Sequence, residues 1–141
     1  MTIKVPFEIL QIEEDGYHLL VKASIKNEKI NLLIDTGASK TVFDYNKMLG
    51  IIDNSKLKQN SKLSVGLGSD KIKSYSIVLK QIKIGNFQIN NFKTALIDLL
   101  NVNNSYKKLG LPEINGILGG DFFLQTNTII NYKEKFLELT E

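Results

Sequence analysis

The chain has no cysteine and only one histidine, His18. Without cysteine it can form neither a disulfide nor a thiolate nucleophile, and one imidazole leaves little for a zinc site. Long apolar runs are also missing, since none reaches the roughly 18 residues of a membrane-spanning helix. The sequence therefore predicts no metal, no cofactor and no membrane partner.

The distribution of charged residues does not indicate a secreted or a nucleic-acid-binding protein. Residues Met1 to Phe7 show no basic segment followed by a long apolar one, as a secretory leader would. We expect a cytoplasmic protein, although a leader or anchor removed earlier would leave no trace. The formal charge is +3, and the lysines are scattered instead of forming a stripe with interleaved aromatic residues. No nucleic-acid partner is expected.

The composition is that of an ordinary globular protein. The 141 residues are 43% apolar and 23% charged, which excludes a disordered chain and suits a single hydrophobic core. No linker, repeat or low-complexity tract divides the chain. We expect one domain, residues 1–141.

Alternation of apolar and polar residues dominates the sequence. Such a period-two pattern predicts strands, and turn residues such as Asp15-Gly16 and Gly85-Asn86 separate the runs. Many short strands with few helices predict a mainly β fold, a closed barrel with one or two short helices. Helical turns are expected after Asp44, over Tyr106 to Leu109, and over Asp121 to Gln125, where Asp121 would be the N-cap.

One acidic residue, Asp35, lies where a catalytic carboxylate could be held rigidly, at the end of a predicted strand. In Leu32-Leu33-Ile34-Asp35-Thr36-Gly37-Ala38-Ser39, an apolar strand ends in a carboxylate and a turn of small residues. This motif resembles the Asp-Thr-Gly-(Ala/Ser) motif of aspartic proteases, particularly the one-lobe, retropepsin-like kind. A second segment, Ile114 to Phe123, resembles the hydrophobic-hydrophobic-Gly element that packs beside the catalytic loop in that family. The resemblance covers most of the chain and implies an acid-protease barrel.

The resemblance implies a role for each residue of the motif. Asp35 would be catalytic, and Thr36 would form a hydrogen bond across a dimer. Gly37 would let the backbone turn and bring its N–H toward the carboxylate. Ala38 replaces a hydroxyl that pepsin-like enzymes often aim at the carboxylate, so we predict an optimum less acidic than pepsin's.

A single carboxylate cannot be both the acid and the base of peptide hydrolysis. No second Asp-Thr-Gly or Asp-Ser-Gly occurs in the 141 residues. Two copies related by a two-fold axis would supply two identical Asp35 side chains, as expected of a one-lobed aspartic protease. The sequence therefore predicts a homodimeric aspartic endopeptidase acting on peptide or protein substrates.

A glycine-rich turn, Gly66-Leu67-Gly68, falls where the family places its flap, the hairpin that closes over substrate. A hairpin with a flexible tip and no ligand is the alternative. Two further alternatives concern the whole chain. It could be a non-catalytic module that binds peptides or forms dimers, or a β barrel that carries a small molecule.

Overall fold

A computed structural model of the chain describes residues 1–60 and 73–141. The predicted flap, Gly66 to Gly68, lies outside these residues. The described part contains ten strands: β1 (Thr2–Ile12), β2 (Gly16–Ile25), β3 (Glu28–Ile34), β4 (Val42–Asp44), β5 (Lys58–Gln59), β6 (Tyr75–Ile84), β7 (Phe87–Ile97), β8 (Gly116–Leu118), β9 (Ile129–Asn131) and β10 (Phe136–Thr140).

The helices of the described residues are short. They are α1 (Tyr45–Met48), α2 (Leu100–Lys108) and α3 (Gly120–Gln125), with one 3-10 turn at Asn54–Lys56. Asp44 caps α1 as predicted, because its side chain accepts a hydrogen bond from the Lys47 main-chain N–H at 3.1 Å. None of the helices in these two segments has the length and apolarity that crossing a membrane requires.

Six strands close into a barrel. Their order is β6-β7-β4-β8-β3-β2, and β2 pairs again with β6 through Ala23 opposite Ile84 and Ser24 opposite Lys83. The ring is mixed, since β3 and β8 run parallel while β2 and β3 run antiparallel. This closure confirms the predicted mainly β barrel.

The alternation in the sequence separates two apolar clusters. Val21, Leu32 and Ile34 point into the barrel, where they pack with residues of β6, β7 and β10. Leu20 and Leu33 point to the other face and pack under α2. Burial of both faces explains why β3 is almost continuously apolar, and it gives the strand that precedes Asp35 a rigid position.

The ends of the chain extend the sheet beyond the barrel. The second half of β1 pairs with β2, whereas its first half pairs with β10 from Thr2 opposite Thr140 to Pro6 opposite Phe136. The last two strands, β9 and β10, form an antiparallel hairpin. β9 has β10 as its one strand neighbour within the described residues, so it is an edge of the sheet.

The sequence-based placement of α2 was wrong. The helix begins at Leu100, not at Tyr106, and the polar residues that precede Tyr106 lie inside it. Asn103 is buried and exchanges two hydrogen bonds with the main chain of Ile114, at 3.0 and 2.7 Å. These contacts join residues eleven positions apart, so a search for local capping residues could not find them.

Two strands were not predicted. β5 is only two residues long, and it is held by pairing with β6. β8 is only three residues long and lies between β3 and β4. Gly116 makes this possible, because a Cβ there would lie 2.8 Å from both Phe43 Cδ2 and the Val42 carbonyl oxygen.

Candidate active site

Asp35 directly follows the last residue of β3. Its main-chain N–H donates to the Leu118 carbonyl oxygen at 3.1 Å, so the strand pairing with β8 extends to the carboxylate-bearing residue. The side chain is half-buried. One carboxylate oxygen, Oδ1, accepts the Gly37 N–H at 2.9 Å. The carboxylate is therefore held in place on one side and remains accessible on the other.

The turn after Asp35 is closed by a hydrogen bond from the Ala38 N–H to the Asp35 carbonyl oxygen at 3.1 Å. Thr36 and Gly37 are exposed at its tip, and Ala38 is half-buried. A Cβ on residue 37 would lie 3.2 Å from Asp35 Oδ1, closer than most side chains tolerate. Glycine at this position leaves room for the N–H to approach the carboxylate, as predicted.

The two motifs found in the sequence lie against each other. The N–H groups of Gly120 and Asp121 donate to the carbonyl oxygens of Ala38 and Ser39, at 2.8 and 3.2 Å. Gly119 is in closer contact still, since a Cβ on it would lie 2.6 Å from the Lys40 carbonyl carbon. The start of α3 therefore supports the Asp35 turn from behind.

Thr41 joins the loop after Asp35 to the start of α3. The sequence analysis did not identify this residue. The side chain is buried, and its Oγ1 donates to Asp121 Oδ1 at 2.8 Å and accepts the Gly119 N–H at 3.0 Å. Its main-chain N–H also donates to Asp121 Oδ1, and its carbonyl oxygen accepts from Thr94 Oγ1. No local pattern points to this role, because the partners come from distant parts of the chain.

The predicted role of Asp121 as an N-cap was wrong. Gly119 is the N-cap residue of α3, and Asp121 lies in the first turn. Its Oδ1 accepts the Phe122 N–H at 2.8 Å in addition to both Thr41 donors. Three donors on one oxygen show that this carboxylate holds loops together, and it belongs to the support of the turn.

His18 and Tyr106 flank the carboxylate. In the pairing of β2 with β3, Leu19 is opposite Ile34, and one further step along both strands places His18 opposite Asp35. His18 is exposed, and its Nδ1 is hydrogen-bonded to the Tyr106 hydroxyl at 2.5 Å. Burial, together with the nearby Asp35 charge, raises the pKa of Tyr106 to about 12. The hydroxyl therefore stays protonated at neutral pH.

Asp35 opens into a groove of about 1250 Å³. Close to Asp35 the wall is apolar, with Leu33, Val42 and Ile117 from three neighbouring strands. A smaller cleft of about 260 Å³ lies beside Asp35 and Thr36 and includes Tyr17 and Tyr132. A groove of this size has room for several residues of an extended peptide.

Among the residues singled out from the sequence, Asp35, Thr36, Gly37 and Ala38 lie together in one turn, and Asp35, Gly37 and Ala38 line the groove. In the two described segments, no three histidine, aspartate or glutamate side chains are grouped so that they could hold a metal ion. The reactive group that this turn presents to the groove is the Asp35 carboxylate.

Comparison with known proteins agrees with this geometry. The family model described as aspartyl protease matches residues 21–122, which include the Asp35 turn and the start of α3. A sequence search of curated proteins gives no match.

Three solved structures share the fold. A retropepsin-like aspartic protease from Rickettsia conorii is 22% identical, with a TM-score of 0.57 over 99% of this chain and 88% of its own. The retroviral protease-like domain of Ddi1 from Leishmania major is 15% identical, with a TM-score of 0.62 over 86% and 87%. EIAV protease in complex with the inhibitor HBY-793 is 17% identical, with a TM-score of 0.53 over 84% and 95%. The chain thus belongs to the aspartyl protease family, and its fold is retropepsin-like.

Proposed function

We propose that the protein is an aspartic endopeptidase in which Asp35 of two copies activates a water molecule for hydrolysis of a peptide bond. The observation that carries this proposal is the position of Asp35, held by the Gly37 N–H and exposed to the groove. Family membership supports the same chemistry. Thr36, Gly37 and Ala38 shape the turn around the carboxylate, and no cofactor takes part.

The second acid comes from a second copy of the chain. Of the described residues that line the groove, only Asp35 and Asp121 carry a carboxylate. Asp121 accepts three hydrogen bonds from Thr41 and Phe122, and it supports the turn from behind. A two-fold axis beside the exposed Thr36 and Gly37 would bring two Asp35 side chains together.

Two carboxylates about 3 Å apart share one proton, as is known for aspartic proteases. The ionised member takes a proton from water while the water oxygen bonds to the peptide carbonyl carbon. The protonated member gives its proton to the carbonyl oxygen. Collapse of this tetrahedral intermediate breaks the C–N bond. The leaving nitrogen receives a proton from one carboxylate, and a hydroxyl of the intermediate returns its proton to the other carboxylate as the C=O bond forms again. Each copy of Asp35 thus changes between acid and base in one turnover.

The surface around β9 supports the dimer. β9 is an edge strand, and edge strands offer unpaired main-chain groups to a second chain. Apolar side chains are exposed in the same region: Leu124 is 82%, Ile129 55% and Tyr132 59% accessible. Tyr132 also lines the cleft beside Asp35 and Thr36, which connects this surface to the site. We propose that residues 1–141 fold as one domain and that two such domains pair here.

Cleavage of an unfolded protein or a peptide library tests the proposal. We expect pepstatin-sensitive cleavage that Asp35→Asn abolishes, and a dimer mass by analytical ultracentrifugation. Asn is close in size to Asp and accepts the Gly37 N–H through its amide oxygen, so the variant should keep the wild-type melting temperature. A strict monomer at high concentration, with no cleavage at any pH, would contradict the proposal. Peptide binding retained by both proteins would then indicate a non-catalytic module.

A further inference from the structure

The groove that begins at Asp35 has two chemically different parts. Near the carboxylate its wall is apolar, with Leu33, Val42 and Ile117. Four exposed lysines also line it: Lys40, in the loop that follows the Asp35 turn, and Lys56, Lys58 and Lys93 farther along. The lining also includes Asp35 and Asp121, so its four lysines and two carboxylates give the described part of the groove a formal charge of +2.

Strand register places two of these lysines on one face of the sheet. Lys58 on β5 is opposite Ser76 on β6, and Lys93 on β7 is opposite Val78 on β6. Ser76 and Val78 are two positions apart, so all four side chains point to the same face. Both ammonium groups therefore belong to one wall of the groove.

Within residues 1–60 and 73–141, no carboxylate forms an ion pair with these lysines. The ion pair found there joins Lys47 to Glu113, and neither residue lines the groove. The two acidic residues of the lining are Asp35 and Asp121. The hydrogen bonds from Thr41 and Phe122 hold the Asp121 carboxylate in place, and among the described residues neither Asp121 nor Asp35 forms an ion pair with these lysines.

We propose that the groove selects acidic peptides, with apolar side chains next to the scissile bond and Asp or Glu side chains farther out. This inference rests on the proposed function and names its substrate class. Unpaired ammonium groups in a concave, partly apolar site attract anionic side chains and repel basic ones. The apolar wall beside Asp35 takes the residues that flank the cut.

Three peptides that differ only in charge test the preference. Each has the same apolar pair at the centre, and the flanking positions carry glutamate, glutamine or lysine. We expect kcat/KM to fall in that order. Raising the salt from about 0.05 M to about 0.5 M should reduce the difference, because the electrostatic screening length falls from about 14 Å to about 4 Å.

Two matched double variants locate the effect. In Lys58→Gln/Lys93→Gln, we expect the ratio of kcat/KM for the acidic over the neutral peptide to fall by roughly ten-fold, or about three-fold for each lysine. The control is Lys29→Gln/Lys83→Gln, which removes the same charge. Both of its lysines are exposed, neither lines the groove, and they lie on strands that pair with β2 at Ser24. The control should keep the wild-type ratio.

The outcomes separate this inference from the proposed function. Cleavage without a charge preference, or a preference that survives in Lys58→Gln/Lys93→Gln, overturns the inference and leaves the protease intact. If no peptide is cleaved, the proposed function fails. Fluorescence anisotropy of the three labelled peptides with Asp35→Asn then decides the charge preference by itself. Equal affinity for all three peptides would overturn it.

Discussion

Thr41 and Asp121 are 80 positions apart in the sequence, yet the main-chain N–H and the hydroxyl of Thr41 both donate to the same oxygen of Asp121, each at 2.8 Å. The pair connects the loop after Asp35 to the first turn of α3. Because both loops lie directly behind the carboxylate, the position of Asp35 depends on this contact.

Replacing Thr41 by valine keeps the shape of the side chain but removes its hydroxyl. The Gly119 N–H then loses its acceptor and Asp121 loses one donor, in a buried place. Leaving such groups unpaired costs about 2–3 kcal/mol. Urea unfolding should show that loss. Thr2→Val, which removes the exposed hydroxyl contact with Thr140, is the control and should cost far less.

Gly119→Ala should be among the most damaging small substitutions. The added Cβ would lie 2.6 Å from the Lys40 carbonyl carbon and 2.8 Å from the Ala38 carbonyl oxygen, and both are main-chain atoms. We expect a loss of about 3 kcal/mol of stability, or displacement of the Asp35 turn. Gly50→Ala is the matched control, because no atom lies within 4 Å of its added Cβ. Equal melting temperatures for the two variants would contradict the packing described here.

Ala38→Ser tests the predicted pH optimum. A hydroxyl at residue 38 that donates to the Asp35 carboxylate favours its ionised form. The optimum of kcat/KM should therefore move to lower pH in the variant. Melting temperatures of both proteins over the same pH range would show whether unfolding distorts the profile. An optimum that stays in place, or moves toward alkaline pH, would contradict the assigned role.

Because the pKa of Tyr106 is raised, we expect the protein to lose stability in alkaline solution. This pKa is raised from 10.0 to about 12, first by burial and then by the Asp35 charge. Between these two values the unfolded chain releases the hydroxyl proton while the folded protein keeps it. The resulting stability is therefore complete below pH 10 and is lost as pH rises toward 12.

Denaturation by urea between pH 9 and about 12, in wild type and Tyr106→Phe, measures that contribution. The variant lacks the titrating group, so its stability should fall less steeply over this range. Tyr45 also has a raised pKa but is present in both proteins, so its effect cancels. Parallel curves for the two proteins would show that the environment of Tyr106 does not suppress its ionisation.

Much of the fold follows from short-range patterns. The alternation in β1, β2 and β3, the turn at Asp15-Gly16 and the capping of α1 by Asp44 depend on neighbouring residues, and all three were predicted. β5 and the first half of α2 were not, because pairing with β6 and the contacts of Asn103 with Ile114 hold them. Strands or turns stabilised from a distance leave no periodicity to read.

The candidate site likewise has features that the sequence predicts and features that only the tertiary structure shows. The sequence by itself determined a carboxylate at the end of an apolar strand, followed by residues small enough for a tight turn. Only the tertiary structure decided that Thr41 and Asp121 secure this turn, that His18 and Tyr106 lie beside Asp35, and that Lys58 and Lys93 face one groove. The reason is physical: the first set depends on bonds and alternation along the chain, whereas the second depends on barrel closure, which brings together residues that are far apart in sequence.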